Sequence, residues 1–250
     1  MGHPHPDPLP PMAGEGESST LIIPAHNEAR IIEESIRAVR AALAGCGRPW
    51  EILIVDDGST DGTAERAAAA LGDAGRVARL APNRGKAGAI VAGVQACVTE
   101  RLVFTDADLS VPPEFFEPAA AKLDAADVVI GSRHLPGSRL VRRQPWLRER
   151  CGETFRILVQ RFFLPQITDF TCGLKGFRTA AARKLFDGLA CLDWTFDVEV
   201  LLRAERAGLL IAEMPVSWIN RPDSHVRLVS AIAGSLRSLW RLGSIYGWRR

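Results

Sequence analysis

No stretch of this sequence approaches the roughly 18 uninterrupted apolar residues of a membrane span, so no membrane-crossing helix is expected. The N-terminus also lacks the charged-then-apolar order of a secretory signal peptide, and Met12 is a second candidate start. Cys46, Cys97, Cys151, Cys172 and Cys191 are odd in number and nowhere spaced as Cys-x-x-Cys. That is not a disulfide framework; it predicts reduced thiols in a cytoplasmic setting. Neither charge sign is in large excess, the net charge being +2 at pH 7. That value alone does not decide on nucleic acid, which is not expected as a partner. The basic charge is concentrated between Arg133 and Arg161 and near the C-terminus. No internal repeat is visible. Residues 1–18 are rich in Pro, Gly and His and almost devoid of aliphatic side chains, which predicts a disordered tail.

What is present is an alternation. Short apolar runs at 20–24, 51–55, 76–80, 102–105 and 127–130 read as strands. Segments 28–43 and 85–98 carry helical character, and an Ala-rich helix running to residue 70 follows a turn whose Ser, Thr or Asp can cap it. This order predicts an α/β fold with a mostly parallel central sheet covered by helices on both faces. Residues 132–146 are basic, contain Pro and Gly and lack periodicity, so they read as a functional or mobile loop. Beyond them we expect a helix over 147–163, strands at 173–177 and 209–216, and helices at 180–186 and 197–207. The last segment, 226–250, reads as an amphipathic helix with Val229, Ile232, Leu236, Leu239, Trp240 and Tyr246 near one face. A main domain over 19–225 is therefore set apart from a C-terminal helix.

The strand at 102–105 ends in Asp106-Ala107-Asp108. Two acids at i and i+2 on an extended segment project to one side, and two anions so close are costly unless a cation shares them. At the carboxyl end of a strand, where open α/β sheets bind ligands, they suggest a divalent metal holding a diphosphate; an ordinary solvated turn is the alternative. The other strands end in polar residues too: Pro24 to Glu28, Asp56-Asp57, and Asn83 to Lys86. Asp56 can accept from a ribose or base, and Lys86 can offset phosphate charge. Neither a P-loop nor a Gly-x-Gly-x-x-Gly fingerprint occurs.

Pro24-Ala25-His26-Asn27-Glu28, Val55-Asp56-Asp57-Gly58-Ser59-Thr60-Asp61-Gly62-Thr63, Asn83-Arg84-Gly85-Lys86 and Asp106-Ala107-Asp108 stand in this order along the chain. The set resembles inverting family 2 glycosyltransferases of the GT-A fold. Gly131-Ser132-Arg133, Asp169 through Phe177, Trp194-Thr195-Phe196-Asp197-Val198-Glu199 and Glu213 through Trp218 are similar to the polyprenyl-phosphate sugar transferases, the dolichyl-phosphate glucosyl- and mannosyltransferases among them. The resemblance spans roughly residues 19–228 and leans toward the glucosyl type. It implies a GT-A, Rossmann-like sheet with a small acceptor-side extension at the C-terminus. It assigns Pro24, Ala25, Glu28, Asp56, Lys86, Asp106 and Ala107 to the donor nucleotide. Asp106 and Asp108 would hold Mg²⁺ or Mn²⁺, with Asp108 also catalytic. UDP-glucose is favoured as donor and GDP-mannose is the alternative. Mannosyl relatives often carry Gln where this chain has Ser110, which leaves a ligand role there open.

A lipid monophosphate acceptor is already anionic near neutral pH and needs fixed cations rather than a base. The resemblance gives that task to Arg133 and Arg148, as guanidinium suits bidentate phosphate binding. Arg139, Arg142 and Arg143 read as a solvated or headgroup-facing loop. Asp169, Asp197 and Glu199 are each either a general base, as a hydroxyl acceptor requires, or an orienting partner of Arg or Lys. Cys172 reads as a packing residue, Trp194 and Phe196 as core, with an aromatic beside the donor sugar as the alternative, and His26 as a base-edge or structural contact where relatives carry Tyr. The expected setting is the inner face of the cell membrane, reached by peripheral contact of the C-terminal helix. The rival readings are the same fold acting on a hydroxyl acceptor and a non-catalytic nucleotide-sugar binding protein. A sugar-1-phosphate nucleotidyltransferase is a third, for which the Gly-rich N-terminal phosphate loop is missing.

Overall fold

A computed structural model of the chain describes residues 18–142, 146–220 and 228–249. Arg143 and all but the last residue of the expected tail lie outside these. The first half alternates as read: β1 (Ser19–Ala25), α1 (Ile32–Leu43), β2 (Trp50–Asp56), α2 (Thr63–Leu71), β3 (Gly75–Arg79), α3 (Gly85–Ala96), β4 (Arg101–Phe104), α4 (Phe116–Lys122) and β5 (Val128–Ser132). Helix α1 forms because Ile32, Ile36, Val39 and Leu43 recur on one buried face, with Glu33 and Glu34 in its first turn and Arg40 in its last. The cap of α2 differs from expectation. The N-cap residue is Gly62, whose φ of 89° suits glycine, and Asp61 Oδ1 accepts the Thr63 N–H at 3.0 Å from one place further out.

The second half holds β6 (Arg139–Arg142), α5 (Trp146–Phe162), β7 (Lys175–Arg178), α6 (Thr179–Leu185), α7 (Phe196–Arg206), β8 (Ile211–Pro215), β9 (Ser217–Ile219) and α8 (Leu228–Tyr246). Part of the segment read as a loop is thus a strand. β6 pairs in parallel with β9 as a separate two-stranded sheet, Leu140 opposite Trp218. A four-residue strand rich in Arg has too short and too polar a pattern to show period two.

The main sheet has the order β3-β2-β1-β4-β7-β5-β8. Strands β1 to β4 run parallel, β7 lies antiparallel to both β4 and β5, and β8 runs parallel to β5. One reversed strand in an otherwise parallel sheet has a consequence for function. The carboxyl ends of β1, β2, β3, β4, β5 and β8 share one edge, and the amino end of β7 joins them there. Phe104 pairs with Lys175 across β4 and β7, which sets the residues before β7 beside Asp106.

Alternation along each strand divides the core. Ile22, Leu53 and Val55 face α3, α5, α6, α7 and α8, while Leu21, Ile23, Ile52 and Ile54 face α1, α2 and α4. Leu239 and Leu242 of α8 belong to the first cluster, and the Trp248 ring lies 5.1 Å from that of Phe163. The apolar stripe read along α8 is therefore split. Leu239 and the half-buried Tyr246 pack on the domain, whereas Leu236 and Trp240, the latter 68% exposed, face outward. The side chains of Val229 and Ile232 lie outside the described residues. Among the described residues no helix is long and apolar enough to cross a membrane.

Candidate active site

The turns after β1 and β2 are laced together by their own polar side chains. Asp57 N donates to Ala25 O at 2.8 Å, in a register that sets Ala25 opposite Asp56 and Pro24 opposite Val55. Asn27 Oδ1 accepts from Thr60 N at 3.0 Å, and Thr63 Oγ1 accepts from Glu28 N at 2.8 Å. His26 is fixed by its Nδ1 lying 3.0 Å from Asp57 O and 3.1 Å from Asn83 Nδ2, the structural role open to it. Asp57 in turn accepts from Arg84 N at 2.7 Å, tying in the turn that carries Gly85 and Lys86.

Asp56 stands apart from these satisfied groups. Its carboxylate is 1% exposed, and neither oxygen accepts a hydrogen bond among the described residues. The Arg79 guanidinium lies at longer range, its Nε 3.7 Å from Oδ2. A buried carboxylate without hydrogen bonds is costly, and a ligand N–H or O–H would relieve it.

Asp106, at the end of β4, forms an ion pair with Lys86. Burial works against both charges, yet each stabilises the other: the Asp106 carboxyl is held below its ordinary range by Lys86, Lys175 and Arg133. The Lys86 ammonium is raised against its own desolvation by Asp106, Asp197 and Asp108. Asp108 goes the other way. Burial, and then repulsion from Asp106, push its pKa up, although Ser110 and Lys86 oppose the rise. Ser110 donates both N–H and Oγ–H to the two Asp108 oxygens, each at 2.9 Å, so it orients this carboxylate. Ala107 turns inward to the core, and its carbonyl accepts from Ser35 Oγ at 2.7 Å. A side chain on Gly173 would overlap Asp106 Oδ2, so the glycine leaves the space beside that oxygen open.

Arg133 follows β5 and is already engaged. Its Nε and Nη2 reach the two oxygens of Asp169 at 2.7 and 2.8 Å, and Nη2 also reaches Thr171 Oγ1 at 2.9 Å. The guanidinium lies 5.6 Å from the Trp218 ring centroid. Burial alone would raise the Asp169 pKa, but Arg133 overrides it and holds the carboxyl at about 2. Arg148 falls in the first turn of α5, and its side chain lies outside the described residues.

The other two ambiguous carboxylates are also committed. Asp197 is buried 2.9 Å from Lys175 Nζ, with its pKa raised by burial against the pull of Lys175 and Lys86. Glu199, fully buried, accepts from Ala190 N, Cys191 N, Arg203 Nη2 and Tyr246 Oη at 2.9, 2.8, 2.7 and 3.0 Å. Glu199 is thus saturated by donors, whereas Asp197 keeps a raised pKa and an Oδ1 with no hydrogen bond among the described residues. Two further residues lie beside these groups: Lys175, to which sequence reasoning gives no role, and Trp194, for which it offers a place beside the donor sugar only as the alternative to core. Lys175 lies beside Asp106 through the β4–β7 register, and the Cys-Gly-x-Lys segment was its only signal. Trp194 is 44% exposed with Lys86 Nζ 5.5 Å from its ring centroid, so the core reading does not hold for it. Phe196 is buried as expected, and so is Cys172.

Among the described residues no cluster of three His, Cys, Asp or Glu side chains is placed to hold a metal. The Asp106–Asp108 pair nevertheless fits a hard divalent cation. It offers carboxylate oxygens only, carries a repulsion that raises Asp108, and has open space at Gly173. Mg²⁺ and Mn²⁺ of this kind are held by one or two carboxylates together with substrate phosphates and water.

Residues 20–186 match the sequence profile of Glycosyl transferase family 2. Glycosyltransferase AglD of Haloferax volcanii is 32% identical over 91% of this chain and 38% of its own length. The dolichyl-phosphate beta-glucosyltransferase of Saccharomyces cerevisiae is 32% identical over 84% of this chain and 69% of its own length. The chain thus spans well under half of the archaeal relative and about two thirds of the yeast one. In architecture it is similar to glucosyl-3-phosphoglycerate synthase from Mycobacterium tuberculosis, solved with Mn²⁺, UDP-glucose and phosphoglyceric acid. The TM-score is 0.70 at 22% identity, covering 94% of this chain and 81% of that one.

Proposed function

Because the chain belongs to glycosyl transferase family 2, we propose that it transfers a hexose, with inversion, from a nucleoside diphosphate sugar to a polyprenyl phosphate. The observation that carries the acceptor is the state of the three carboxylates open to a base role. Asp169 is held at about 2 by Arg133, Glu199 is saturated by four donors, and Asp197, though raised by burial, is buried against the Lys175 ammonium. A hydroxyl acceptor needs a base to take its proton, whereas a phosphate monoester attacks as an anion. In that step a phosphate oxygen bonds to the anomeric carbon, the bond from that carbon to the diphosphate breaks, and the nucleoside diphosphate leaves with the electron pair. No proton changes hands. Relatives named dolichyl-phosphate beta-glucosyltransferase and undecaprenyl-phosphate 4-deoxy-4-formamido-L-arabinose transferase support a lipid phosphate, and the former favours glucose.

The residues divide the work. Asp56 reads the nucleoside, with Pro24, Ala25 and Glu28 shaping its pocket, and Lys86 neutralises the diphosphate beside Asp106 and Asp108. Bound there, Mg²⁺ or Mn²⁺ acts as a Lewis acid on the leaving group. Arg133, set by Asp169 and Trp218, presents its remaining guanidinium nitrogen to the acceptor phosphate, and Arg148 is its partner. The outer face of α8, where Leu236, Trp240 and Ile245 stand exposed beside Arg237 and Arg241, suits an anionic bilayer at the cytoplasmic face of the cell membrane. Incubation with labelled sugar nucleotides, Mn²⁺ and undecaprenyl phosphate tests the reading. We expect a lipid-linked phosphosugar, with UDP-glucose the best donor; transfer to a free saccharide in its place would overturn the acceptor assignment. Flotation with anionic liposomes tests the membrane contact, and failure to co-float rejects it.

A further inference from the structure

The donor reading leaves one wall of the site without a role: the Trp194 ring. A large aromatic side chain 44% exposed is ordinary on a mobile surface loop, but the loop between α6 and α7 is clamped on both sides of this residue. Ala190 and Cys191 donate their backbone N–H groups to Glu199 at 2.9 and 2.8 Å. Asp193 Oδ1 accepts from Thr195 N at 2.9 Å, and Asp193 Oδ2 accepts from Ser238 Oγ of α8 at 2.8 Å. Thr195 and Phe196 directly after it are buried. A ring held rigid and uncovered, with Lys86 Nζ 5.5 Å from its centroid, is a preorganised surface awaiting a partner.

Sheet order says which partner. Asp56 ends β2, and Asp106 follows β4, two strands further along the order β2-β1-β4-β7. Lys175 on β7 continues the same direction and is tied to α7 by Asp197, directly after the Trp194 loop. If Asp56 takes the nucleoside and Lys86 with Asp106 the diphosphate, the group attached beyond the diphosphate is the sugar, and it arrives at Trp194. A pyranose has an apolar face of C–H groups with its hydroxyls at the rim, the shape an aromatic ring covers well.

We infer that Trp194 is the platform for the donor's hexose, and that Ser238 of α8 positions it through Asp193. The inference rests on the donor reading above, and its test separates the two. Affinities for UDP and for UDP-glucose are measured on the full chain with Mn²⁺, in wild type and in the Trp194→Ala, Trp194→Phe and Ser238→Ala variants. Trp194→Ala is expected to weaken UDP-glucose by about 3- to 10-fold and leave UDP unchanged. Trp194→Phe should restore most of the loss. Ser238→Ala should give a smaller loss, confined to UDP-glucose, with an unchanged melting temperature. Equal losses for UDP and UDP-glucose would sink the platform while sparing the donor reading. So would unchanged affinities for both with a raised KM for polyprenyl phosphate, which would turn the ring toward the acceptor. A wild type that binds neither nucleotide removes both readings.

Discussion

Asp56 and Asp108 on the donor edge differ from Asp169 and Glu199 in how far the protein itself offsets their charge. Among the described residues Asp56 has no hydrogen bond, and Asp108 is pushed toward its protonated form by burial and by Asp106. Asp169 and Glu199, by contrast, are met by guanidinium and backbone donors on every side. Buried charge persists in a fold only where something offsets it. On the acceptor side the protein itself supplies the offset, so these acids build the scaffold. On the donor edge the offset is incomplete, and a cation and a nucleotide would complete it. Acids of one type in one chain thus separate into those that hold structure and those that wait for ligand.

Substitutions should split along that line. Asp108→Asn is expected to cut turnover by about 10³-fold while changing the melting temperature little, because relief of the repulsion from Asp106 offsets the weakened Ser110 contact. Turnover within tenfold of wild type at saturating Mn²⁺ would remove Asp108 from the metal site. Glu199→Ala should do the reverse. Truncating a saturated buried carboxylate costs about 3–5 kcal/mol, seen as a melting temperature lower by roughly 10 °C. The surviving folded fraction should keep its KM for the donor. Intact stability with lost chemistry would instead return Glu199 to the list of candidate bases.

The two halves also differ in how far the sequence discloses them. Donor-edge residues follow their strands within a few positions, so turn chemistry at each strand end marks them, and the parallel order of β1 to β4 brings Pro24, Asp56, Lys86 and Asp106 to one edge. Acceptor-side roles depend on partners far along the chain. Arg133 meets Asp169 across 36 residues, and Glu199 meets Tyr246 across 47. No local pattern encodes such pairs. Nor does period two carry direction, which is why the reversal of β7, and with it the placement of Lys175 beside Asp106, was not readable. Trp194 and Phe196 look alike in composition, yet one precedes the first turn of α7 and points out while the other enters the core. That choice is made by packing alone.

Acid offers a milder way to probe the satisfied side. Asp169 is held at about 2 in the folded protein, against about 3.9 in an unfolded chain. Its folded-state pKa is the lower one, so its contribution is fully present above about pH 4 and is lost as pH falls toward 2. The difference corresponds to about 2.6 kcal/mol in all, of which about 2 kcal/mol is lost across this window. Urea unfolding at stepped pH should show wild type losing that much more than Asp169→Asn over this window. Parallel slopes for the two proteins would mean that the Arg133–Asp169 pair contributes no net stability.

The smallest effect tests the boundary between the two classes, at Ser110. Its backbone N–H and its hydroxyl both serve Asp108, so this one waiting carboxylate has part of a scaffold of its own. Ser110→Ala keeps the backbone donor and deletes the hydroxyl. The lost hydrogen bond to a charged acceptor is worth about 1 kcal/mol net, and Asp108 would sit less firmly and ionise less readily. The Mn²⁺ concentration for half-maximal activity should rise about 5-fold, with kcat at saturating Mn²⁺ close to wild type, because the hydroxyl orients the carboxylate without touching the reacting atoms. A fall in kcat that excess Mn²⁺ does not restore would instead make Ser110 a direct contact of metal or diphosphate, the role that the Gln of mannosyl relatives suggests for this position.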